Sequence, residues 1–192
     1  ISKSWAVQNK PVNPKIYPDA DATARASGAD DILAEAVVTQ NFSEAISDCH
    51  YIFGTSTRER SIPWPLFTPS QSAEKVAEIV SGASKVAIVF GRESSGLANE
   101  ELELCNAMIQ IRTDPDFSSL NIASAVQIIS YEISQKLLEV EPAIEDDSDR
   151  TPLASVDQIQ QLYEHLQQCL IDIDYFDPEK PRRLMRRLKR VI

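Results

Sequence analysis

The chain is 192 residues long, 43% hydrophobic and 25% charged, the proportions of a soluble globular protein with room for one α/β domain and a small appendage. Its longest apolar runs, such as residues 86–90, are too short to span a bilayer, and residues 1–12 hold no apolar stretch of signal-peptide length; we therefore read it as cytoplasmic, with no membrane partner. A net charge of −10 points, as a sum, away from nucleic acid, but five acids gather in residues 141–149 and seven cations in residues 180–190.

In chain order, residues 21–27 read as a helix closed by Gly28 and residues 36–39 as a short strand. Residues 41–48 read as a short helix in which Ser43 is placed to cap and Phe42 and Ile46 share a face. Residues 51–54 form a strand that runs into Gly54-Thr55-Ser56-Thr57-Arg58. Three prolines around Trp64 in residues 62–69 force an extended or looped path. Residues 70–81 predict a helix with Gly82 just beyond its end. The unbroken run 86–90, within a strand over 85–91, suits a parallel strand covered on both faces. Asn99 is placed to cap a helix reaching about Cys105, and residues 108–112 read as a strand. Ser118 or Ser119 starts a long helix to about Glu139, with Ile122, Val126, Ile129, Ile133 and Leu137 at helical spacing. Adding Ile128 and Leu138 makes that helix apolar on more than one face, so it is expected to meet a second copy of the chain as well as its own core.

Strands alternate with helices, which predicts an α/β fold with a parallel sheet flanked by helices over residues 1–140. Residues 141–152, acidic and containing proline, read as a linker. Residues 153–192 read as a helical C-terminal extension. Val156, Ile159, Leu162, Leu166, Leu170 and Ile173 stripe its first helix. A second, basic helix over 182–191 turns Leu184, Leu188 and Val191 inward. Its cations Arg182, Arg183, Arg186, Arg187, Lys189 and Arg190 suit either a solvated face or contacts to an RNA backbone.

Cys49, Cys105 and Cys169 are widely spaced and odd in number, which excludes a disulfide framework, and each lies in or beside an apolar run, as a small buried hydrophobe would. With only His50 and His165 beside them, no metal-ligand spacing occurs, and no metal is expected. His165 reads as a surface or packing residue.

Ligands of parallel α/β sheets bind beyond the carboxyl ends of the strands. Three loops stand there. They are residues 54–58, residues 90–97 (Phe-Gly-Arg-Glu-Ser-Ser-Gly-Leu), and residues 114–121 (Asp-Pro-Asp-Phe-Ser-Ser-Leu-Asn). Each joins small residues, whose backbone a ligand can approach, to polar side chains. Gly91 and Gly96 have P-loop spacing, but Leu97 stands where that loop needs lysine, and no GxGxxG is present. Singly, a Gly-Thr-Ser turn is an ordinary loop, and Ser118-Ser119 is a helix cap.

In this order the three segments resemble the SPOUT, or trefoil-knot, RNA methyltransferases of the TrmH/TrmJ group. The matching residues are Gly54-Thr55-Ser56-x-Arg58, then Val89-Phe90-Gly91-Arg92-Glu93-x-x-Gly96-Leu97-x-x-Glu100-Glu101-Leu102, then Ser118-Ser119-Leu120-Asn121-x-Ala123-x-Ala125-Val126-Gln127. Pro63-Trp64-Pro65 and Tyr131-Glu132 point to the branch that methylates the 2′-hydroxyl of the pyrimidine at anticodon-loop position 32 of tRNA. The resemblance implies a C-terminal trefoil knot, a homodimer with active sites at the subunit interface, tRNA as partner, and S-adenosylmethionine as cofactor. By position it implies that Thr55, Ser56 and Thr57 line the cofactor from one side. Gly91, Ile111, Ser118, Ser119 and Leu120 would hold its adenosine and methionine parts. Arg92, Glu93, Ser119 and Asn121 are the candidates for acting on the substrate. We expect Gly91→Val to abolish cofactor binding while leaving the fold largely intact.

The family's first motif, an Asn and an Arg on a strand-helix-strand unit before Asn13-Pro14, has no counterpart in residues 1–12, so that unit is expected to be missing or incomplete and the family's Arg is not assigned. The alternatives are the same chemistry on ribosomal RNA, and a catalytically inactive RNA-binding or dimerisation module.

Overall fold

The computed structural model describes residues 8–26, 28–56, 64–114, 120–139, 153–178 and 184–189. Its centre is a sheet of four strands, β1 (Tyr51–Thr55), β2 (Leu66–Phe67), β3 (Val86–Val89) and β4 (Ala107–Ile109). They lie in the order β2-β4-β1-β3, and every neighbouring pair is parallel. The last of these four strands thus sits between the first two.

Successive strand residues point to opposite faces, and this alternation divides the interior in two. Ile52, fully buried, joins Ala45, Ile46, Leu97, Leu102, Cys105 and Met108 on one face. Phe53, also fully buried, joins Val76, Ala107, Ile109 and Ile129 on the other. The first face is covered by α3 (Phe42–Ile46) and α5 (Asn99–Leu102). The second is covered by α4 (Pro69–Ser81) and α6 (Ile122–Glu139), which pack on each other. β4 is stitched in at its start by a reciprocal pair: Ile52 N–H donates to Asn106 Oδ1 at 2.8 Å and Asn106 N–H donates to the Ile52 carbonyl at 2.9 Å. On its other side Met108 and Gln110 N–H donate to the Pro65 and Phe67 carbonyls at 2.8 and 2.9 Å. The proline-rich segment is extended there, as expected, and Trp64 Nε1 ties it to the Cys105 carbonyl at 3.1 Å.

Several boundaries differ from expectation for local reasons. Helix α1 is Ala20–Arg25, capped by Asp19, and α2 (Asp30–Ala34) was not foreseen. α3 is capped by Asn41, not Ser43: Asn41 is extended and its Oδ1 accepts Glu44 N–H at 2.8 Å. α4 starts one residue early because Thr68 and Gln71 form a reciprocal cap with Pro69 in the first turn. The strand expected at 36–39 reduces to a bridge between Val12 and Thr39. Residues 9–13 do run beside it, with Val37 and Thr39 N–H donating to the Asn9 and Pro11 carbonyls and Asn13 N–H donating to the Thr39 carbonyl, but Pro11 has no N–H to return and the chain turns at Asn13, φ 45°, just after the bridge.

In the C-terminal extension, α7 (Val156–Asp172) opens with a Ser155–Gln158 capping box. Its first turn rests on the sheet domain: Val156 and Asp157 N–H donate to the Cys49 and Ser47 carbonyls at 2.8 and 3.3 Å, and Val156 packs on the Ile52 side of the core. Of the expected stripe, Ile173 and Leu162 remain exposed; Tyr163 and Phe176 are the buried residues. Helix α8 (Leu184–Leu188) is shorter than the predicted 182–191, whose ends lie outside the described residues, as does the linker 141–152.

Candidate active site

Parallel registers decide where the strand ends fall. Gly54 is level with Val89, and Thr55 with Ile109. The chain therefore leaves β1, β3 and β4 at one edge of the sheet, bringing Thr55-Ser56, Phe90-Gly91 and Gln110-Ile111 together. Two hydrogen bonds cross between them: Thr55 Oγ1 donates to the Val89 carbonyl at 3.0 Å and Ser56 N–H donates to the Ile109 carbonyl at 3.3 Å. Thr55, Ser56, Gly91, Ile111 and Leu120 are all half-buried, and none carries a charge. A neutral, half-sheltered edge of hydroxyls, backbone amides and aliphatic side chains fits a nucleoside with a sulfonium-linked amino-acid tail better than a phosphate. Thr57, Ser118 and Ser119 lie outside the described residues.

The 91–97 loop folds back on itself. Arg92 N–H donates to the Gly96 carbonyl at 3.2 Å, and Gly96 N–H donates to the Arg92 carbonyl at 2.7 Å. Gly96 takes φ 69°, a left-handed conformation glycine adopts without penalty. A side chain on Gly91 would put Cβ 2.3 Å from the Gly96 carbonyl carbon and 2.4 Å from Leu97 N. Glycine is therefore needed here for the loop's own closure. This corrects the expectation that Gly91→Val leaves the fold largely intact, since backbone must move to admit even a methyl group.

Arg92 reaches across the base of this loop. Its Nη1 and Nη2 donate to Glu101 Oε2 and Oε1 at 3.0 and 2.8 Å. Glu101 Oε2 also accepts Ala98 N–H at 2.7 Å, and the N-cap of α5 is Ala98 rather than the expected Asn99, which is the first helical residue. The Arg92 hydrogen bonds are the main reason the Glu101 carboxyl stands below its ordinary range, against a smaller opposing effect of burial. Glu93, next to Arg92, is exposed. Asn121 Oδ1 accepts Ala123 N–H at 2.8 Å and so begins α6.

The basic helix divides. Arg186 is ion-paired with Glu103, just past α5. The Lys189 ammonium lies 5.4 Å from the Tyr163 ring centroid, while Tyr163 OH donates to the Lys189 carbonyl at 3.3 Å. Arg187 is exposed. Arg182, Arg183 and Arg190 lie outside the described residues. Cys49 and Cys105 are buried, but Cys169 is exposed on α7 with its Sγ 3.6 Å from His165 Nε2, against the expectation that all three are buried. Glu101 entered the sequence reading only as a member of the matched segment 89–102, with no role assigned, and Glu103 was not singled out. An acid in the first turn of a short helix was the available signal for Glu101.

Among the described residues no three or more His, Cys, Asp or Glu gather as a metal site, and no helix is long and apolar enough to cross a membrane. What remains is a parallel α/β sheet flanked by helices, with the described ends of β1, β3 and β4 meeting at one carboxyl edge and a docked helical extension, which is the fold class of the SPOUT methyltransferases.

The chain belongs to the SpoU rRNA methylase family, which it matches over residues 8–131, and residues 157–192 match the C-terminal domain of the tRNA methyltransferase TrmJ. It is 44% identical to the tRNA (cytidine/uridine/adenosine-2′-O-)-methyltransferase TrmJ of Pseudomonas aeruginosa, over 94% of this chain and 73% of that protein. It is 39% identical to the tRNA (cytidine/uridine-2′-O-)-methyltransferase TrmJ of Klebsiella pneumoniae, over 94% and 74%. Among solved structures it resembles TrmJ from Z. mobilis ZM4, with a TM-score of 0.76 and 31% identity over 95% of this chain and 76% of that one. It also resembles a probable methylase family protein from Haemophilus influenzae, with a TM-score of 0.63 and 35% identity over 95% and 73%.

Proposed function

We propose that this chain transfers a methyl group from S-adenosylmethionine to a ribose 2′-hydroxyl of tRNA, at the pyrimidine of anticodon-loop position 32, and that it does so in the cytoplasm as a homodimer. The observation that carries the reading is the convergence of Thr55, Gly91 and Ile111 at one carboxyl edge, lined by neutral half-buried groups. The substrate class follows from the two TrmJ relatives, both tRNA 2′-O-methyltransferases.

S-adenosylmethionine, when bound, supplies an electrophilic methyl on a sulfonium. Thr55, Ser56 and Thr57 flank it on one side, and Gly91, Ile111, Ser118, Ser119 and Leu120 hold the adenosine and methionine parts, mainly through backbone groups. Glu93, Ser119 and Asn121 orient the ribose, while Arg92, the fourth candidate for acting on the substrate, is engaged by Glu101 and acts through the shape of its loop. The 2′-hydroxyl oxygen must lie in line with the methyl, and its proton, which has a high pKa, must be drawn off as the bond forms. Arg182, Arg183, Arg186, Arg187, Lys189 and Arg190 contact tRNA phosphates, for which the planar guanidinium fork is suited. The insertion of β4 between β2 and β1 is consistent with the trefoil knot that the family resemblance implies.

The test is calorimetric titration with S-adenosylmethionine, followed by tritium transfer from labelled donor into unmodified tRNA, with ribosomal RNA in parallel. Binding together with label in position 32 of tRNA is the expected result. Label in ribosomal RNA alone redirects the substrate, and donor binding without transfer to either RNA favours an inactive RNA-binding module.

A further inference from the structure

The 91–97 loop is closed at three levels, and Glu101 forms the outermost of them. Between the main chains, Arg92 and Gly96 exchange a pair of hydrogen bonds. At the loop's end, Leu97 is 5% exposed, seated against Leu102, Cys105 and Met108. Outside, the Arg92 side chain spans from the loop's first turn to α5, where both Glu101 oxygens take its fork. One of those oxygens also takes Ala98 N–H, the residue after Leu97. A single carboxylate therefore ties the beginning of the loop, the residue just past its end, and the helix beyond.

Glu101 can serve as an anchor because its own position is determined. It precedes Leu102, which is 2% exposed, and its carbonyl accepts from Cys105 Sγ at 3.4 Å. Its side chain is 18% exposed against 63% for Arg92. The fixed partner is the acid; the guanidinium is the strap brought down onto it. The exposed part of the loop, Glu93 to Ser95, carries the tip, while Gly91 stands at the strand end that faces Thr55 and Ile111.

We infer that Glu101 is a positioning residue of the methyl-donor site: through Arg92 it holds the 91–97 loop in the one shape in which the Gly91 backbone is presented to the donor. The inference rests on the functional reading above. Its physical content is preorganisation. A loop already in its bound shape loses less conformational freedom when the ligand arrives, so removing the strap weakens donor binding more than it slows the chemistry of the filled site. Glu101 touches no substrate; it acts through Arg92 and the loop.

The experiment compares the unmodified protein with Glu101→Gln, Arg92→Gln, Arg92→Lys and the double variant Arg92→Gln/Glu101→Gln. The glutamine at 101 retains an oxygen for Ala98 N–H, and Arg92 is a surface side chain, so each variant keeps the core. Donor affinity is measured by calorimetry, KM and kcat by tritium transfer to tRNA, and Tm by calorimetric scanning. The expected result is a loss of donor affinity of roughly three- to tenfold in both Gln variants, the size expected for a charge-assisted but partly exposed pair. KM for the donor rises in step, kcat at saturating donor stays within about twofold, Arg92→Lys recovers part of the loss, and the double variant is no worse than either single one. Parent-like affinity in both Gln variants overturns the inference, and so does a fall in Tm accompanied by equal changes in KM and kcat, which marks a structural role only. If the unmodified protein itself binds no S-adenosylmethionine, the functional reading fails first and takes the inference with it.

Discussion

Replacing Gly91 with alanine tests the idea that this glycine exists for the closure of its own loop. The added Cβ would lie 2.3 Å from the Gly96 carbonyl carbon, 2.4 Å from Leu97 N and 2.8 Å from Gly96 Cα. All three are backbone atoms, so no rotamer change relieves the overlap. Restoring a normal carbon–carbon contact of about 3.5 Å requires the loop to part by roughly 1 Å. Parting it stretches both Arg92–Gly96 hydrogen bonds, each worth about 1 kcal/mol net, and lifts Leu97 from a seat whose full burial is worth about 1.5–3 kcal/mol. With partial relaxation the cost is about 2–4 kcal/mol, in the range of overpacked cores. For a chain of this size that lowers Tm by roughly 5–15 °C. Differential scanning calorimetry reads the shift, and a titration with S-adenosylmethionine on the folded variant reads the effect on the site, which should be a loss of affinity. Gly96→Ala is the control. Its Cβ would meet nothing within 4 Å, so only the positive φ of 69° is penalised, at about 1–2 kcal/mol. A Gly91→Ala protein melting within about 1 °C of the parent would refute the reasoning.

On α6, Ile128, Tyr131 and Leu138 are exposed in the single chain; Ile128→Arg should convert a sedimenting dimer to monomer with little change in the far-ultraviolet spectrum, and a monomeric parent would sink the dimer. Substituting Arg183, Arg186 and Arg187 by Gln should weaken tRNA binding and flatten its salt dependence by about one to three counterions, whereas an unchanged affinity and slope would show a merely solvated helix. A native-state thiol assay should label Cys169 alone, because burial pushes the Cys105 thiol up to about 12 and also raises Cys49; two or three fast-reacting thiols would contradict this. Asp48 is held well below the usual carboxylate range by hydrogen bonds from Lys10 and then Lys85. A depressed acid contributes stability above its ordinary value of 3.8 and loses it as pH falls through the folded value. Asp48→Asn should therefore be less stable than the parent by about 1 kcal/mol at neutral pH, a modest figure because the pair is solvent-screened. The gap should shrink steadily below 3.8, and a pH-independent difference in urea unfolding would show that the ion pair is not its cause.

The parts of the fold that were legible in the sequence are those governed by short-range chemistry. Residues 86–90 announce a parallel strand by having no polar side chain to place, but the structure confines the pairing to Val86–Val89 and sets that strand at the sheet edge, half-buried rather than covered on both faces. Gly82 does follow α4 directly, as expected, but the left-handed residue that turns the chain out of the helix is Ala83, at φ 58°. Where two capping residues competed, as with Asn41 and Ser43, backbone conformation decided, and composition could not reveal it. The strand expected at 36–39 needed a partner across space, and the partner's prolines limited it. The site was legible as three loops after three strands, but not as one place, since the coincidence of Thr55, Gly91 and Ile111 depends on registers between strands far apart in sequence. The Arg92–Glu101 pair spans a loop whose closure depends on Gly91 and Gly96, and the Arg186–Glu103 contact joins two parts of the chain that composition treats as separate.

The place of β4 has a consequence for how the chain comes into being. β1 is made before the other three strands, yet one of its edges acquires its neighbour only after α4, β3 and α5 have been translated. At roughly 5–20 residues per second that leaves a strand as apolar as Ile52-Phe53 open along one side for seconds. An open edge of this kind is a template for pairing with any other extended chain. Nascent chains of this protein should therefore be most prone to aggregate, and most in need of a holding chaperone, during the interval between the emergence of Thr55 and that of Ile109.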